Sequence, residues 1–128
     1  MKKVLLDTNA YTSYLGGDQD VLHVLSDAEI TFMSIFVLGE LYAGFKGGRR
    51  EKENIKILQA FLAKPSVEIL NAGSETAEIF GMVKDSLKRA GTPIPINDVW
   101  IASHALEIGA VMITYDKHFA VVPGLRLL

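Results

Sequence analysis

A chain of 128 residues, 49% hydrophobic and 22% charged, has the size and composition of one packed domain, residues 1–128. It has no cysteine, which excludes disulfides, thiolate zinc sites and cysteine nucleophiles. A net charge of −2 excludes a broad basic face for gripping nucleic acid, so any such contact must be local or borrowed from a partner.

In chain order, "KVLL" (Lys3 to Leu6) is a short continuous apolar run, as expected of a strand buried on both faces. Asp7 interrupts it, and no apolar run approaches the roughly 18 residues of a membrane span, so a cytoplasmic protein is expected. A polar stretch follows, then a short helix from Asp18 to Ser26 with Asp18 as N-cap. "EITFM" (Glu29 to Met33) reads as a second strand. Ser34 is placed to cap a helix from Ile35 to Phe45 that ends in Gly47 and Gly48.

A charged loop then becomes a helix with Ile55, Leu58 and Leu62 on one face, stopped before Pro65. "VEIL" (Val67 to Leu70) is a third strand. Ser74 is expected to cap a helix with Phe80, Val83 and Leu87 as its apolar stripe. Its first turn carries Glu75 and Glu78 and its last Lys84, Lys88 and Arg89, which suits the helix dipole. After the connector "GTPIP", a helix is expected from Asp98 to Ile108, closed by Gly109. "AVMIT" (Ala110 to Thr114) is a fourth strand, and "LRLL" at the C-terminus reads as a fifth. Alternating strands and helices with continuous apolar strands point to an α/β fold with a covered parallel sheet. Ligands of such sheets sit beyond the carboxyl ends of the strands, and Asp7 and Asp116 both fall on that rim.

Four acids stand out, each with a plain alternative. Asp7 in "LLDTN" would serve as a turn carboxylate bonding the amides of Thr8 or Asn9. Glu40 in "SIFVLGELYAG" would ordinarily face solvent. Its helical neighbours Phe36, Val37, Ala43 and Gly44 are uncharged and mostly small, which suits an acid over a groove. Asp98 would be a first-turn acid favoured by the dipole, with Asn97 as the cap, although the helix it opens is strongly apolar. Asp116 would be a loop acid bonding the amides of Lys117 and His118.

Read together, they say more. Two carboxylates 4 Å apart repel by about 4 kcal/mol at an effective dielectric near 20. Four remain ionised together only with a cation between them. Oxygen ligands without cysteine or clustered histidine favour Mg²⁺ or Mn²⁺. Such an ion activates water and holds a phosphodiester for in-line attack.

At these residues the sequence resembles the PIN-domain ribonucleases, and more closely the VapC-type toxins of toxin–antitoxin pairs. The pieces that carry the resemblance are "LLDTN", "SIFVLGELYAG" and "NDVWIASHALEIGAVMITYDKHF". Together with their spacing they cover nearly the whole chain. The resemblance implies a three-layer α/β/α sandwich with a central parallel sheet. It implies a catalytic, metal-binding quartet of Asp7, Glu40, Asp98 and Asp116, supported by Thr114 and Asn9. It implies Mg²⁺- or Mn²⁺-dependent endonucleolytic cleavage of RNA, typically tRNA or rRNA, leaving a 3′-hydroxyl and a 5′-phosphate. It also implies a homodimer and a cognate VapB-type antitoxin.

The densest basic cluster, Lys46, Arg49, Arg50 and Lys52, is a candidate phosphate contact, with a solvated loop as the alternative. His104 reads as a hydrogen-bonded structural histidine. His118 reads as a turn residue near the site, with a substrate contact as the alternative. Trp100 reads as core or dimer interface, and Tyr11 and Tyr14 as packing residues. A phospho-acceptor receiver domain is the rival from another class. It lacks support, because "VEILNAG" supplies no acceptor Asp and no Lys follows "LRLL". A PIN nuclease without an antitoxin and a catalytically silent PIN binding module are the nearer alternatives.

Overall fold

The computed structural model describes residues 2–128. Among them four strands form one sheet, β1 (Lys3–Leu6), β2 (Ile30–Ser34), β3 (Val67–Leu70) and β4 (Val111–Ile113). The order is β3-β2-β1-β4 and every pair is parallel. Leu5 pairs with Phe32 on one side and Met112 on the other. Val4, Leu5 and Leu6 are all fully buried. Successive strand residues point to opposite faces, so an unbroken buried run means that both faces of β1 are covered.

Six helices cover the sheet: α1 (Thr8–Leu15), α2 (Gln19–Asp27), α3 (Ile35–Phe45), α4 (Glu51–Leu62), α5 (Ser74–Ala90) and α6 (Ile96–Ile108). The core joins β1 and Met112 to Tyr11, Val37, Leu58, Phe61, Leu87 and Ile101. The α/β/α architecture with a parallel sheet matches the sequence expectation. So do the Asp18 cap on the amides of Asp20 and Val21 and the Ser34 cap on Phe36.

Four expectations are corrected. The stretch after Asp7 is helix α1, which buries only Ala10 and Tyr11 and therefore shows little apolar pattern. "LRLL" is no fifth strand. It makes a single bridge, Met112 to Leu127, because Pro123 and the left-handed Gly124 (φ 78°) turn the chain just before it. Ser74 is the first residue of α5 and not its cap. Gly73 holds that place, and its amide donates to Thr76 Oγ1 at 3.0 Å. Asn97 does not cap α6, which starts two residues earlier than Asp98 and has Pro95 at its N-cap. The Asn97 amide group instead reaches the Phe36 carbonyl at 3.5 Å, between the starts of α6 and α3.

Two packing details fix α6. Trp100 stacks on Phe80 of α5 at 3.9 Å between ring centroids and on Phe36 of α3 at 5.0 Å. Buried His104 lies 2.7 Å from Ser34 Oγ through Nδ1 and 3.2 Å from the Asn71 carbonyl through Nε2. The carbonyl can only accept, so Nε2 donates to it and Nδ1 accepts from Ser34. The structural reading of His104 is met.

Candidate active site

The strand order places the site. β1 and β4 are neighbours, so the residues that leave their carboxyl ends emerge side by side. Asp7 follows Leu6 directly and is the N-cap of α1, its Oδ1 accepting from the Ala10 amide at 2.8 Å. Thr114 follows β4 and donates its hydroxyl to Asp7 Oδ2. The same Thr114 oxygen accepts the Asp116 amide at 2.9 Å. One threonine thus ties the exits of both strands together.

Glu40 comes from the middle of α3 and accepts a hydrogen bond from the Thr8 hydroxyl at the start of α1. Asp98 stands in the first turn of α6, where the helix dipole favours a negative charge. Asp116 caps the 3-10 turn Lys117–Val121, accepting from the His118 amide at 3.3 Å. Asp7 thus bonds a backbone amide, but that of Ala10 rather than Thr8 or Asn9 because it caps α1, and Asp116 bonds the amide of His118; both roles coexist with a shared site. Asp7, Glu40, Asp98 and Asp116 line one pocket with Thr8, Asn9, Ile101 and Phe119. Its volume is about 200 Å³, room for ions, water and a phosphate edge.

The electrostatics are strained. Burial pushes the Asp7 carboxyl above the usual carboxylate range, and the charges of Asp116 and Glu40 push the same way, against the bonds from Thr114 and Ala10. Burial likewise raises Asp98, with Glu40 and Asp116 adding to it and His118 opposing. Burial leads in both cases and the neighbouring acids add to it. The donor set is carboxylate oxygens plus one imidazole, which fits a hard or borderline divalent cation.

The imidazole is the residue that sequence reasoning undervalued. His118 reaches Asp98 Oδ2 with Nε2 at 2.8 Å and Asp116 Oδ1 with Nδ1 at 2.7 Å. Its position two residues after Asp116 was the available signal. The basic residues are elsewhere. Lys46, Arg49 and Arg50 lie on the α3–α4 connection and Lys52 in the first turn of α4, and none lines the acid pocket. Arg50 is paired with Glu53 at 2.6 Å and Lys46 lies 3.9 Å from Glu51.

The PIN domain family model matches residues 4–125. Ribonuclease VapC1 of Haemophilus influenzae is 33% identical over 95 residues, covering 73% of this chain and 69% of that protein. The chain belongs to the VapC-type PIN-domain ribonucleases. A second VapC relative, the tRNA(fMet)-specific endonuclease of Salmonella typhimurium, is 27% identical over 99% of this chain and 97% of its own. Among solved structures, the DNA-bound VapBC of Salmonella typhimurium matches this VapC-type fold with a TM-score of 0.88 and 26% identity, over 100% of this chain and 98% of that one. VapBC2 of Rickettsia felis, bound to a promoter DNA fragment, matches with a TM-score of 0.85 and 25% identity over 98% and 97%.

Proposed function

We propose that this endoribonuclease depends on a divalent cation, Mg²⁺ or Mn²⁺, held by Asp7, Glu40, Asp98 and Asp116, and that it cuts tRNA or rRNA as the toxin of a VapBC-type pair. The observation that carries the reading is the convergence of four carboxylates from β1, α3, α6 and the β4 exit on one small pocket. When bound, such an ion neutralises the phosphodiester and acidifies the attacking water. The chain's own residues do the rest. Asp7 is locked by Ala10 and Thr114, so its carboxylate cannot swing away. Thr8 donates to Glu40 and orients it. Ile101 and Phe119 supply apolar lining beside the acids. Asn9 stands at the lip, exposed, where an amide can meet a phosphate oxygen.

A VapB-type antitoxin is the proposed partner, because the similar solved structures are VapBC complexes. The intact acid set disfavours a silent binding module. The decisive experiment incubates the purified, antitoxin-free chain with total tRNA and rRNA in Mg²⁺, Mn²⁺ or EDTA. Discrete metal-dependent cuts are expected, absent in Asp98→Ala. Cuts that persist in EDTA would falsify the metal-dependent reading. The basic connection is a secondary contact in this proposal. Arg49→Ala with Lys52→Ala should raise KM about threefold to tenfold, leave kcat in place and reduce the salt dependence of binding.

A further inference from the structure

The reading above gives His118 no task, yet its ring touches two of the four acids. The ligand atoms of Asp98, Asp116 and His118 all lie within 4.8 Å of one another. As a metal ligand an imidazole is neutral and carries one N–H, so one nitrogen donates while the other offers a lone pair. Asp116 Oδ1 is the natural acceptor. It already takes the backbone amide of His118 at 3.3 Å, and Nδ1 is 2.7 Å away. Nε2 is then the free nitrogen, 2.8 Å from Asp98 Oδ2, where the two can share one cation. Adjacent ligands about 2.1 Å from an octahedral ion stand about 3 Å from each other, close to that separation.

We propose that His118 Nε2 is a ligand of the divalent ion beside Asp98, with its Nδ1–H held by Asp116. Metal-bound histidines commonly donate their other N–H to a carboxylate, which fixes tautomer and ring orientation. Phe119, buried, packs its ring 4.8 Å from the imidazole and limits its rotation. The inference rests on the metal-dependent reading and deepens it, because a nitrogen ligand makes the site discriminate. Mg²⁺ is served by oxygen ligands, whereas first-row transition ions gain from imidazole. The site should therefore favour Mn²⁺ over Mg²⁺ more strongly than an all-carboxylate site would.

The test uses the full chain without antitoxin, loaded with Mn²⁺, and reads pulsed electron paramagnetic resonance for ¹⁴N coupling. Calorimetric titration with Mn²⁺ and with Mg²⁺ accompanies it, on the wild type, His118→Gln and His118→Ala. The expected result is nitrogen coupling in the wild type that vanishes in both variants. Mn²⁺ affinity should fall about tenfold or more and Mg²⁺ affinity less than about threefold. Bound Mn²⁺ without nitrogen coupling in the wild type overturns His118 as a ligand and leaves the metal-dependent nuclease standing. No bound Mn²⁺ at all overturns both. The wild-type spectrum decides the matter even if a variant fails to fold.

Discussion

The two ends of the parallel sheet treat charge in opposite ways. At the amino end, Lys3 donates to the Ile108 carbonyl at 3.2 Å and Arg126 to the Gly109 carbonyl at 2.6 Å. These cations satisfy the orphan carbonyls at the C-terminus of α6, where the helix dipole welcomes them. At the carboxyl end, like charges are forced together and two of the acids are desolvated enough to hold their protons more tightly. One end is electrostatically resolved, as a structural edge should be. The other is left unresolved, and it is there that the cation is proposed to bind.

The largest effect expected from this contrast is on chemistry. Asp98→Ala should lower cleavage by about a thousandfold or more, roughly 4 kcal/mol of barrier, with circular dichroism unchanged. A variant that keeps near-normal turnover would remove Asp98 from the site and break the contrast. Asp7→Asn should lose activity to a similar degree yet gain stability. The folded-state pKa of Asp7 is raised, so its contribution to stability is full below about pH 4 and is lost as pH rises through the folded value. At neutral pH without metal, the neutral amide should therefore raise Tm by about 4 °C, corresponding to about 1 kcal/mol. That gain should disappear in acid. A lowered Tm at pH 7 would mean that the acids are not in conflict.

Arg126→Ala probes the resolved end. It should cost about 0.5–1 kcal/mol in urea unfolding and leave the cleavage rate untouched. A change in kcat there would show that the two ends are coupled. The smallest effect concerns His104, which ties the carboxyl ends of β2 and β3 through Ser34 and Asn71. Burial holds its pKa below the usual histidine value, against the Asn71 carbonyl and the Glu107 charge. Its contribution to stability is then present above about pH 6.5 and lost as pH falls towards the folded value. Urea midpoints should decline below pH 6.5 in the wild type and more weakly in His104→Asn.

Legibility from the sequence followed the same division. Asp7 and Asp116 could be read because they sit at strand exits next to a strong apolar pattern, as in "KVLLD" and "VMITYD", Glu40 because it stands alone in an apolar helix, and Asp98 because it stands at the start of another. Helix α1 could not. "TNAYTSYL" is rich in residues that compete for backbone hydrogen bonds, and it inserts only Ala10 and Tyr11 into the core. "LRLL" looked like a strand because its composition says nothing of Gly124 and the turn before it. His118 was visible as a neighbour of Asp116, but its second contact, Asp98, lies across the fold on another helix. Sequence spacing reveals partners within an element and is silent on those that a sheet crossover brings together.

The pairing of β1 with β4 carries a consequence for the timing of folding. Leu6 meets Ile113, and Thr114 reaches back across 107 positions to Asp7. Such a long-range closure is slow relative to local helix formation. During synthesis α1 to α5 can assemble while the fourth acid is still unmade. A growing chain therefore carries only part of the quartet until Asp116 has left the ribosome and β4 has docked. If the four acids form the proposed metal site, cleavage activity arises only after that closure.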